Sequence, residues 1–159
     1  MGAPRAVQCG AGTAAVLYRR IPDHHAVHRR VSGAAAARAV LVLEGGKIAV
    51  FRGAGKSPRA GSGEAWGPVY RLEPGGALAV PTGLVLIRFR EGASARKGSA
   101  DIARAGYEIA SVLEYAPRAA WVRAATGSIE DSLRNLAALQ ALPGVESVEP
   151  QMLMASHRR

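Results

Sequence analysis

The nine residues Leu142-Pro143-Gly144-Val145-Glu146-Ser147-Val148-Glu149-Pro150 constrain this chain more than any other stretch, because they stop a helix, turn, and start a strand that a proline then ends. A helix over residues 129–142 cannot run through Pro143, whose ring clashes with the preceding turn and whose nitrogen has no proton to donate. Gly144 supplies the turn geometry that leads away from the helix end. Pro150 denies the ladder a donor, so the strand before it is short or lies at an edge. The residues after Pro150 read as a detachable tail, with 155–159 beyond the folded domain.

Working back from this anchor, residues 81–154 give two strand-helix-strand units in succession. Residues 83–89 alternate, with Val85, Ile87 and Phe89 on one side and Leu84, Leu86 and Arg88 on the other. A weak helix over 94–105 is anchored by Ile102 and ended by Gly106. Strands over 107–115 and 119–125 flank a turn at Pro117-Arg118, and the second of them carries Trp121 and Val122. In the last helix Ser128 and Asp131 have the spacing of a cap, and Ile129, Leu133, Leu136 and Leu139 share a face. Val145 and Val148 are three apart and cannot share a face of a regular strand, so Val145 is expected in the turn.

This order predicts an α+β fold, the ferredoxin-like βαββαβ arrangement, with a four-stranded antiparallel sheet and both helices on one face. The other face has no covering layer within the unit. Leu84, Leu86, Tyr115 and Trp121 are its candidate apolar side chains, left either for a partner or for the N-terminal half of the same chain.

Residues 1–37 mix Ala, Gly, Arg and His without a period of two or 3.6, and so few large apolar side chains cannot offset the entropy of ordering. The segment is expected to be disordered. Residues 38–80 read as a hairpin-rich extension. Val40-Leu41-Val42-Leu43 and Ile48-Ala49-Val50-Phe51 flank a Gly-Gly turn, and Val69-Tyr70-Arg71-Leu72 and Ala77-Leu78-Ala79-Val80 flank Glu73-Pro74-Gly75-Gly76. Between the hairpins, Gly53-Ala54-Gly55-Lys56-Ser57 invites comparison with a phosphate-binding loop. Val50 stands where that motif needs its first glycine, so no nucleotide site is expected. His24 and His28 have the spacing of a helical metal pair, yet Pro22 and the weak helical pattern argue for a solvated loop, and no metal or cofactor is expected.

The net charge of +9 is uneven. Residues 1–80 hold 11 Lys and Arg against 4 Asp and Glu, a surplus of +7, whereas residues 81–159 hold 10 against 8, a surplus of +2. No cluster is long enough to form a polybasic patch. The single cysteine, Cys9, has no partner for a disulfide or a thiolate metal site. No apolar run approaches the roughly 20 residues of a membrane span. The apolar run Ala14-Ala15-Val16-Leu17-Tyr18 is too short for the core of an export signal.

Two stretches together, Pro81-Thr82-Gly83-Leu84-Val85-Leu86-Ile87-Arg88-Phe89-Arg90-Glu91-Gly92 and Leu142-Pro143-Gly144-Val145-Glu146-Ser147-Val148-Glu149-Pro150, resemble the N-terminal prodomain of subtilisin-like serine proteases, especially the fervidolysin-like kind. In that family a strand ending in Arg-Phe-x-x-Gly opens the domain, and Pro-Gly-Val-Glu-x-Val-Glu-Pro closes it. The resemblance covers residues 81–154. It implies a propeptide-like intramolecular chaperone and inhibitor that lays its open sheet face on the catalytic domain and sends its C-terminal tail through the cleft. Carried over by position, Leu86 and Trp121, with Leu84 and Tyr115 beside them, fall on the docking face. Met152, Leu153, Met154, Ala155 and Ser156 fall in the cleft.

The resemblance implies a subtilisin-like catalytic domain as the partner, and the chain is expected not to be an enzyme itself, since no candidate triad is in it. Its four histidines, His24, His25, His28 and His157, lie in the N-terminal segment and the tail, away from any scaffold that could hold a base against a serine. Members of the family are usually exported. The alternative is a ferredoxin-like nucleic-acid-binding or regulatory module. Against nucleic acid, the strand Ala119-Ala120-Trp121-Val122-Arg123-Ala124 lacks the adjacent aromatics of RNA-reading sheets, leaving only Trp121 to stack.

Overall fold

Of the residues described by the computed structural model, 3–9, 16–29, 33–53 and 66–155, 46% are in strands and 20% in helices. In chain order the elements are β1 (Ala6–Cys9), β2 (Val16–Arg20), β3 (His24–Val27), α1 (Gly33–Arg38), β4 (Leu41–Leu43), β5 (Ile48–Arg52), β6 (Trp66–Gly67), β7 (Tyr70–Glu73) and β8 (Leu78–Phe89). They continue with α2 (Ser99–Arg104), β9 (Tyr107–Val112), β10 (Ala119–Ala124), α3 (Ile129–Arg134), α4 (Leu136–Gln140) and β11 (Val145–Met154). A seven-stranded sheet has the order β1-β2-β7-β8-β10-β9, with β11 also paired to β8, and a separate four-stranded sheet has the order β4-β5-β3-β6.

The chain divides into two compact units, Met1–Val16 with Thr82–Gln151 and Leu17–Pro81 with Met152–Arg159. In the first, β10 runs antiparallel to β8 with Ala120 opposite Ile87 and Val122 opposite Val85. That register puts all four on one face. There they meet Phe89, Tyr107, Ile102 from α2, Leu139 from α4 and Val145 in one buried cluster. Burying a side chain the size of Ile87 or Phe89 stabilises the fold by roughly 1.5–3 kcal/mol. Two buried side-chain hydrogen bonds tie β9 and β10 to α3. The Tyr107 hydroxyl donates to the carbonyl of Ser132 at 2.6 Å, and the Ser132 hydroxyl accepts from the backbone of Ala124 at 3.0 Å. Ser128 caps α3 by accepting from the Asp131 backbone N–H at 3.2 Å.

In the second unit, β4 and β5 form a hairpin with Leu41 opposite Val50 and Leu43 opposite Ile48, around a 3-10 turn at Glu44–Gly46. Leu43, Ile48 and Val50 pack with Ala26, Val69 and Val80 in a second cluster, against which Leu153 also lies. Tyr70 stands opposite Ala79 where β7 meets the start of β8.

Four expectations are corrected. The isolated four-stranded ferredoxin-like sheet is not what forms: the strands of residues 81–154 are part of a seven-stranded sheet, a separate four-stranded sheet forms as well, and the chain is mainly β. The segment 1–37, expected to be disordered, supplies β1, β2 and β3. Pro81 does not separate two strands, because β8 runs through it for 12 residues, with Gly83 at φ +93° inside it. The segment 152–154 is no free tail but the end of β11. Smaller differences come from local geometry. The last helix breaks at Asn135 (φ −105°, ψ 20°) into α3 and α4. Val145 is the first residue of β11, and Val148 packs against the same cluster.

Candidate docking surface

The pleat that buries Val85, Ile87 and Phe89 turns Leu84, Leu86 and Arg88 to the opposite face of β8. Across the ladder Trp121 stands opposite Leu86. Leu84, Leu86 and Trp121 are each half-buried, and none belongs to either buried cluster. Beyond β9 the chain turns tightly at residues 113–119, closed by hydrogen bonds from Ala116 N to Leu113 O (3.1 Å), Ala119 N to Ala116 O (2.8 Å) and Leu113 N to Ala119 O (3.2 Å). This turn holds Tyr115 at its tip, 87% exposed, the most exposed large hydrophobic side chain among the described residues.

Together these elements enclose a hollow of about 480 Å³ on the outward face. Leu86, Trp121 and Tyr115 line it with Leu113, Ala116, Pro117 and Ala119, and the guanidinium side chains of Arg88 and Arg118 complete it. The structure thus brings three of the four expected face residues into one concavity. Leu84 shares the face, two residues along β8, but not the hollow. The sequence indicates a turn at Pro117-Arg118 and puts Tyr115 on the face, but it does not assign Leu113, Ala116, Pro117, Arg118 or Ala119 to the site. The strand expected over 107–115 ends at Val112, and only the closed turn folds Leu113 and Arg118 over the face.

The cleft-binding residues are placed differently. Met152, Leu153 and Met154 are the last three residues of β11, and Leu153 packs on the second cluster. Just before them, in the first unit, the Thr82 hydroxyl donates to Gln151 Oε1 at 2.8 Å. Ala155 is exposed, and Ser156 lies outside the described residues, as do Lys56 and Ser57 of the rejected phosphate loop.

Elsewhere the histidines and the cysteine stand apart from one another. His24 pairs with its neighbour, Nδ1 lying 2.9 Å from Asp23 Oδ1. His28 lies four residues on, past the end of an extended strand rather than one helical turn away. Burial lowers its pKa to about 4, and its Nε2 has no partner among the described residues. Burial also pushes the Cys9 thiol up to about 11, with the charge of Glu149 adding to the effect. Among the described residues no three His, Cys, Asp or Glu side chains converge as a metal site would require. No protein-family model, curated protein or solved structure matches the chain.

Proposed function

We propose that this chain is a propeptide-like chaperone and inhibitor of a subtilisin-like serine protease, docking through the outward face of β8 and β10. The observation that carries the reading is the concave apolar face of Leu86, Trp121 and Tyr115, left outside both buried clusters in a chain with the opening and closing motifs of such prodomains. An aromatic pair beside a leucine in a concavity is the composition of an interface centre, where truncating one aromatic side chain commonly costs about 2 kcal/mol or more. A module that binds the native protease and not its unfolded chain stabilises it by mass action, so folding aid and inhibitor are one property. The cleft-binding part narrows. Met152, Leu153 and Met154 already serve as strand residues, so the product-like segment falls to Ala155, Ser156 and the residues after them.

The reading is tested by titrating the full chain against a subtilisin-like protease and measuring initial hydrolysis rates. Saturable inhibition is expected, weakened by on the order of 30-fold in Trp121→Ala, with circular dichroism showing that the variant stays folded. Absence of inhibition, or equal potency of the folded variant, contradicts it.

A further inference from the structure

The hollow has a charge as well as a shape. Arg88 and Arg118 stand exposed in its lining, which holds no carboxylate. Neither takes part in an ion pair among the described residues. Arg123, by contrast, is held by Glu108 at 2.7 Å on the neighbouring strand. Two uncompensated guanidinium groups beside an apolar floor set a condition on anything that covers it. A partner that removes water from Leu86 and Trp121 also strips water from these cations, which is costly unless it brings acceptors of opposite charge. The planar fork of arginine is best matched by a carboxylate.

Resting on the reading of this face as a docking surface, we propose that its partner is an acidic amphipathic protein segment. Its apolar side chains cover Leu86 and Trp121 while Asp or Glu side chains beside them meet Arg88 and Arg118. A second copy of the chain fits poorly, since it carries a net charge of +9 and brings no acidic surplus. A nucleic-acid strand fits less well too: the hollow offers two cations, and its walls are mostly aliphatic rather than a row of stacking rings.

The test uses two helical peptides that share one Leu- and Phe-bearing face, flanked by Glu in one and by Gln in the other. Each is titrated into the full chain at low salt by calorimetry. The Glu peptide is expected to bind about tenfold more tightly. That preference should shrink at about 0.5 M salt and vanish in the Arg88→Gln/Arg118→Gln double variant, whose exposed substitutions leave the core intact. Equal affinity, no binding of either peptide, or tighter binding of an oligothymidylate of about 20 nucleotides overturns the proposal. Protease inhibition measured in parallel keeps the two readings apart. Preference for the Glu peptide without inhibition leaves the acidic partner and removes the protease. Inhibition untouched by the double variant, with no peptide preference, leaves the protease and removes the acidic partner.

Discussion

His28 is a residue whose surroundings fix a consequence for the fold. Its ring is partly buried beyond the end of β3, its Nε2 finds no partner among the described residues, and burial lowers its pKa to about 4. An unfolded chain has a histidine near pH 6.5, so between about pH 6.5 and 4 the unfolded state binds the extra proton. Stability is therefore complete above about pH 6.5 and falls as the pH drops towards 4. The loss is on the order of 2 kcal/mol, below the full shift because the ring is not wholly sequestered. Urea unfolding at about pH 7 and about pH 4.5 should show the wild type losing stability that His28→Gln does not lose. Parallel losses in both proteins would show that other groups govern the acid response. Nothing in Asp23-His24-His25-Ala26-Val27-His28 reveals this burial. Pro22 argued against the helical pair that the spacing suggests, but in favour of a solvated loop, whereas residues 24–27 form β3 and His28 beyond it is partly buried.

At the scale of elements, β8 links both units, and Gly83 is its sensitive point. The residue has φ +93°, and a Cβ built there would lie 3.2 Å from Ile129 Cγ1 at the start of α3. Gly83→Ala combines backbone strain with crowding of the helix, so it should cost about 1–3 kcal/mol and lower the midpoint of thermal unfolding by several degrees. An unchanged midpoint would mean that the strand relaxes freely at that position. The strand over 84–89 was legible as an apolar, β-branched run, although only Arg88 marks its outward face as different, because Leu84 and Leu86 are as apolar as Val85 and Ile87. The cap at Ser128 was legible for a similarly local reason. The strands β1, β2 and β3 were not. Each buries a single apolar side chain, Val7, Tyr18 or Ala26, among arginines, histidines and small residues, so no period stands out. They are strands because neighbouring backbones pair with them, as Tyr18 does opposite Leu72 and Ala26 opposite Val50.

At the scale of the whole molecule, local order was read correctly in places and assembled wrongly. Strand, helix, strand, strand, helix and strand do succeed one another between residues 78 and 154, but the sheet does not stop at four strands. An unpaired strand edge offers its backbone donors and acceptors to whichever strand lies near it, and local pattern does not say which strand that is. The same blindness affected the C-terminus, where Met152-Leu153-Met154 looked like an apolar peptide for a cleft. Leu153 instead packs against a cluster drawn from residues 26–80, a contact too distant in sequence for any pattern to announce. The outward face fared better. Leu86 and Trp121 were candidates for one face whose pairing depended on register and came from the family resemblance, and the ladder sets them opposite each other, whereas the share of Arg118 in the hollow depends on a turn closed in three dimensions.

The central claim, that this face seats a protease, has a built-in pair of reporters. Trp121 lies in the hollow, while Trp66 belongs to the separate four-stranded sheet, opposite Val27. With both replaced biosynthetically by 5-fluorotryptophan, fluorine NMR of the full chain titrated with an active-site-inactivated subtilisin reads the two positions at once. If the face seats a protease, the Trp121 resonance shifts and broadens saturably while that of Trp66 stays in place. A Trp121 signal that does not move in excess protease, or a change confined to Trp66, contradicts that claim.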